Sequence, residues 1–172
     1  MHHIRSITLP IKFLVFQSIL LSLAGTACGQ SKKTGIKITA CYQRMMPGNI
    51  PVDDNGRPRQ VNPVYSISVF AETGAGAVYW DSVRVDGHTY RVEAVAITSL
   101  PFSPGRKQST QKPLEINPKK GATAWQLVLT PIGEFNAVEK PPQSITVYGR
   151  TQKAAFQLGP CPFIAIEGPS AV

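Results

Sequence analysis

Histidine is nearly missing from this 172-residue chain: His2 and His3 stand at the N-terminus, and only His88 lies in the body. That excludes a two-histidine metal set there. A Ser-His-Asp site would have to rely on His88, with no Gly-x-Ser-x-Gly elbow beside it. Rossmann and Walker glycine patterns are lacking too, so no cofactor is expected. Charged residues make up only 16% against 42% hydrophobic, which excludes a disordered chain. No stretch keeps a helical period. The apolar run from Phe13 to Leu23 is shorter than the roughly 20 residues that cross a hydrocarbon core.

What charge there is leans basic. The chain has 18 Lys and Arg against 10 Asp and Glu, and Arg5 and Lys12 precede the apolar run, so the remainder holds 16 against 10, a net of +6. A surplus of that size suits anionic surfaces and also plain solubility. Nucleic acid is not expected as a partner, because no aromatic platform or phosphate cradle accompanies the basic residues. Asp53-Asp54-Asn55-Gly56 is similar to the oxygen-rich start of a calcium loop, but Arg57 and Arg59 follow and the later glutamate of that spacing is missing. The segment reads as a turn.

The N-terminus has three parts in order: a basic head, the Phe13–Leu23 run, and the small residues Ala24-Gly25-Thr26-Ala27 ahead of Cys28. These are the parts of a secretory signal. Gly25-Thr26-Ala27-Cys28 resembles the lipobox of bacterial lipoproteins, in which the cysteine is acylated and becomes the new N-terminus. Ala27 and Thr26 fit that pattern. Gly25 departs from it, since the family usually has Leu, Val or Ile there, and ordinary cleavage after Ala27 stays open. The resemblance implies a lipid on Cys28, a membrane as partner and, with Gly29 next, the outer membrane. It covers only residues 1–28.

Cysteine parity bears on the choice. If Cys28 is acylated, Cys41 and Cys161 remain as an even pair, whereas a free Cys28 would leave an odd thiol in an oxidising compartment. A Cys41–Cys161 bridge is therefore expected. It would close a loop of about 120 residues, worth roughly 4–5 kcal/mol in the chain-entropy model.

After a signal peptide over 1–27 and a tether over 28–34, residues 35–172 read as a single domain. Ile36, Ile38, Ala40 and Tyr42 alternate onto one face, the mark of a half-buried strand. Similar runs occupy 64–71, 77–85, 88–97, 125–130, 144–150, 153–158 and 163–167. Seven or eight short strands with frequent Gly and Pro between them predict an all-β fold, an antiparallel immunoglobulin-like β-sandwich.

Asp86-Gly87 predicts a type I′ hairpin, because both central residues of that turn need positive φ. The register then pairs Val85 with His88, Arg84 with Thr89, Val83 with Tyr90 and Ser82 with Arg91. Continued outward, it places Asp81 and Tyr79 on the apolar face and Trp80 on the polar face near Arg91 and Glu93. Trp80 and Arg91 are thus candidate ligand-binding residues, Trp80 for stacking on a sugar or for a cation–π contact.

Three connections are long, at 44–62, 98–123 and 131–143. Loops of that length bind partners or stay mobile. The second carries Arg106, Lys107, Lys112, Lys119 and Lys120 against one acid, Glu115, which makes it a candidate dock for an anionic envelope glycan or protein, or for lipid headgroups near the anchor.

These features point to a non-catalytic, lipid-anchored cell-envelope protein with a binding or assembly role. One alternative is an envelope carbohydrate hydrolase, which would need two carboxylates about 5–10 Å apart in a groove. Another is a soluble periplasmic assembly module. Ligand and oligomeric state are not fixed by the sequence.

Overall fold

The computed structural model describes residues 34–46, 52–59, 62–133 and 138–168. The expected leader, Cys28 and the expected tether as far as residue 33 lie outside these. Among the described residues no helix is long and apolar enough to cross a membrane. The described residues form nine strands: β1 (Lys37–Met45), β2 (Val64–Thr73), β3 (Val78–Val85), β4 (His88–Ala96), β5 (Arg106–Lys107), β6 (Thr123–Pro131), β7 (Ser144–Thr151), β8 (Ala155–Pro162) and β9 (Ile164–Glu167). Eight match the runs read from period-two alternation. The two-residue β5 lies inside the 98–123 connection and carries no alternation long enough to read.

All nine strands belong to one sheet, in the order β5-β9-β1-β2-β6-β4-β3-β7-β8. Two stacked sheets were expected. Hydrogen bonding is instead continuous, because β4 pairs with β3 on one side and β6 on the other, so the hairpin joins what would have been separate layers. The sheet is also mixed, with β1 and β9 running parallel.

The sheet curls into a half-barrel. Ile38 and Ala40 of β1 share one buried cluster with Leu158 and Cys161 of β8, although five strands separate β1 from β8 in the sheet. Ile36, Val69, Ala71, Val83, Val85, Tyr90, Leu127, Ile145 and Val147 complete this inner core. Only Phe163 separates β8 from β9. That continuous run links the β8 edge to the opposite end of the sheet, first paired with β7 and then with β1, as strands do where a sheet turns a corner.

The outer face carries a second, smaller core. Cys41, Phe70, Ala124 and Ile166 project outward from β1, β2, β6 and β9, and Leu114 and Ile116 of the 98–123 connection cover them. Phe102 packs on Phe70 with ring centroids 5.6 Å apart. Phe102 and Ile116 exchange backbone hydrogen bonds of 3.1 and 2.8 Å, and β5 pairs with β9. The connection is thus an ordered flap held by the inward-facing Phe102, Leu114 and Ile116.

The hairpin forms in the expected register from Val85↔His88 to Ser82↔Arg91. Asp86 and Gly87 take φ of 45° and 92°, as the turn requires. The Asp86 carboxylate accepts hydrogen bonds of 2.9 Å from the backbone N–H groups of both Gln143 and Ser144, fastening the turn to the start of β7. The Asp53 segment is a turn as well: its carboxylate accepts from the N–H groups of Asn55 and Arg57 at 2.9 and 2.8 Å.

Candidate functional site

Burial and strand parity decide the cysteines. Cys28 lies outside the described residues. Cys41 is a free, fully buried thiol in the outer core, and burial pushes its pKa from 9.0 up to about 12. Cys161 is buried in the inner core and is not a free thiol. The expected Cys41–Cys161 bridge is not formed. The two residues project from opposite faces of the curled sheet, so no rotamer brings their sulfurs together. With Cys41 unpaired, the parity argument for acylation of Cys28 falls away and the leader pattern stands alone.

The Trp80 surface is corrected too. Pairing of β3 with β7 runs Trp80↔Gly149 and then Ser82↔Tyr148, leaving Asp81 as an extra residue in a β-bulge. One inserted residue reverses the parity of everything before it. Trp80 therefore turns inward onto the inner core, its ring edge-on to Phe156 at 6.0 Å. Tyr79 turns out to solvent, with the Arg150 guanidinium 5.7 Å from its ring centre. Asp81 is exposed, 3.9 Å from Arg150. Arg91 is exposed next to the inward-facing Tyr90, so Trp80 and Arg91 lie on opposite faces of the sheet. They make no common binding surface.

Gly149 is what lets Trp80 and Phe156 meet. A Cβ there would come within 2.6 Å of both the Phe156 ring and the Tyr79 carbonyl oxygen. The aromatic ring lies over the bare backbone, a recognised way of filling the space beside a strand glycine.

The five basic residues of the flap separate into two groups. Arg106 and Lys107 form β5, and the Lys107 N–H donates to the Lys112 carbonyl at 2.9 Å. Lys107 borders a cleft of about 840 Å³ beside Lys37–Ala40 and the β8–β9 junction, where Glu115 also lies. Lys119 and Lys120 lie at the other end of the flap, both exposed, in a turn closed by a 2.9 Å hydrogen bond from Ala122 N–H to the Lys119 carbonyl. They border a cleft of about 760 Å³ together with Gly35, Lys37, Glu72 and Asn117. Lys37 and Glu72 form an ion pair across β1 and β2.

Lys37, Glu72 and Asn117 were not singled out from sequence. For Lys37 and Glu72 the only signal is the cross-strand register, which needs the pairing of β1 with β2; Asn117, in the 98–123 connection, carries none. Among the described residues carboxylates occur singly along these two clefts, Glu72 in one and Glu115 in the other. No protein-family model, curated protein or solved structure matches the chain.

Proposed function

We propose that the protein is an exported, non-catalytic β module held at the outer membrane by an acyl chain on Cys28, with a binding or assembly role in the cell envelope. The observation that carries this reading is the leader itself: basic head, Phe13–Leu23 run and Ala24–Ala27 immediately before Cys28. The fold is compatible in one respect. Its first described residues, Thr34 and Gly35, reach the end of the half-barrel where Lys37, Lys119 and Lys120 gather. We further read the half-barrel as a variant of an immunoglobulin-like sandwich, supported by the curl that sets β1 against β8 and by the β8–β9 run that changes partner.

A second reading has its own observation. Cys41 is free and Cys161 is not. In a chain with three cysteines, Cys28 is then the available partner for Cys161, and a soluble periplasmic or secreted module follows. Intact mass spectrometry of the membrane-extracted protein, with and without reduction, separates the two. Chain 28–172 carrying acyl mass is the expected result. A chain lacking acyl mass that gains two hydrogens on reduction, with the Cys28 and Cys161 peptides joined in the non-reduced digest, would establish the Cys28–Cys161 bridge and overturn the anchor.

A further inference from the structure

We propose that the cleft between Lys37, Lys119 and Lys120 receives the phosphate of an anionic lipid headgroup. The inference deepens the anchored reading, on which it rests for its location only.

The charge balance comes first. Among the described residues Glu72 is the one carboxylate along the cleft, and Lys37 already neutralises it. Lys119 and Lys120 are exposed, and neither has an ion-pair partner among the described residues. Lys153 adds a fourth cation in an adjoining groove of about 520 Å³ that shares Ile36, Thr73, Gly74 and Ala75 with the first. This end of the molecule therefore presents a net positive cleft, and a lysine ammonium binds phosphate as a point charge.

Shape comes second. Gly35, Gly74 and Gly121 border the cleft with no side chain, and open space lies where a Cβ would be on each. Asn117, which can donate through its amide, also borders the cleft. The volume of about 760 Å³ falls within the roughly 300–1,000 Å³ typical of small-molecule sites.

Position comes third. Cys28 precedes Thr34 by six residues, which span at most about 20 Å when fully extended. An acylated Cys28 keeps the cleft close enough to the bilayer for headgroups to reach it. An anionic surface attracts each nearby lysine by about 1 kcal/mol, or roughly fivefold in affinity.

The test uses the mature chain from residue 28 with Cys28→Ser, which cannot be acylated, so that vesicle binding reads the cleft alone. Sedimentation with phosphatidylglycerol–phosphatidylcholine vesicles should exceed that with pure phosphatidylcholine. K119Q/K120Q should weaken it by roughly 30-fold. R84Q, at the far end of β3, should change it less than about twofold for a site-specific interaction. Equal binding to both vesicle types, or equal losses in K119Q/K120Q and R84Q, overturns the proposal. Calorimetric titration with inorganic phosphate at fixed ionic strength separates the sources: binding of free phosphate as tight as that of headgroups would make the ligand a soluble anion and overturn the lipid assignment. The mass spectrum of the wild-type protein tests the anchor independently.

Discussion

Cys41 sits in the outer core with Phe70, Ile116 and Ile166, and water does not reach it. Desolvation disfavours the thiolate, which raises its pKa to about 12 and leaves the thiol unreactive in the folded protein. Iodoacetamide should label Cys41 slowly in native protein and rapidly in urea; fast native labelling would contradict its burial. The same shift links to stability. Below about pH 9 folded and unfolded chains both keep the proton, so this contribution is fully present. From about 9 to 12 the unfolded chain releases a proton that the folded one retains, and stability falls as pH rises. Tyr90 acts in the same direction, raised first by burial and then by the nearby Asp86 charge. Urea midpoints should drop across that window, and Cys41→Ala should flatten the drop. Alternation in the sequence already sets Cys41 opposite Ile36, Ile38 and Ala40. Its missing bond is legible only once Cys161 is seen on the inner face.

Two elements carry most of the difference between the expected and observed surfaces. In β3 the bulge at Asp81 turns Trp80 inward, and Gly149 opposite it admits the Phe156 ring. Gly149→Ala should cost about 1–3 kcal/mol in urea unfolding, the range for overpacking a tight site. The Tyr79 carbonyl belongs to a paired strand and cannot withdraw, so adding Phe156→Leu should recover only part of the loss. Full recovery would show that the ring is the sole obstacle. The flap of residues 98–123 reads from its lysines as a solvated loop, yet Ile116 is fully buried and Leu114 nearly so. Trypsin should therefore cut slowly after Lys107, Lys119 and Lys120 in the native protein. Ile116→Ala should cost about 2–4 kcal/mol and speed cleavage at these sites. Equal rates in both proteins would mean the flap is not held by its outer-core contacts. Spaced apolar residues among Pro and Lys give no period to detect, which is why the flap's packing is hidden in the sequence.

For the molecule as a whole, the inner and outer cores are two sides of the same strands. β1, β2 and β6 supply Ile38, Val69 and Leu127 to one and Cys41, Phe70 and Ala124 to the other. Neither core can be dismantled without breaking pairings that the other needs, so denaturation should be a single transition. Near-ultraviolet circular dichroism, sensitive to Trp80 and Trp125, should coincide with the far-ultraviolet signal, and separated curves would divide the fold in two. By itself the sequence determined the all-β class, eight strand positions and the Asp86-Gly87 hairpin, because period-two alternation and turn chemistry act over a few residues. Tertiary structure decided the rest. It alone shows one curled sheet in place of two, the bulge that reversed Trp80, the two faces that keep Cys41 and Cys161 apart, and the gathering of Lys37, Lys119 and Lys120. Each of these depends on which distant strands pair and in what register, and a one-residue slip in that pairing turns every side chain to the other face.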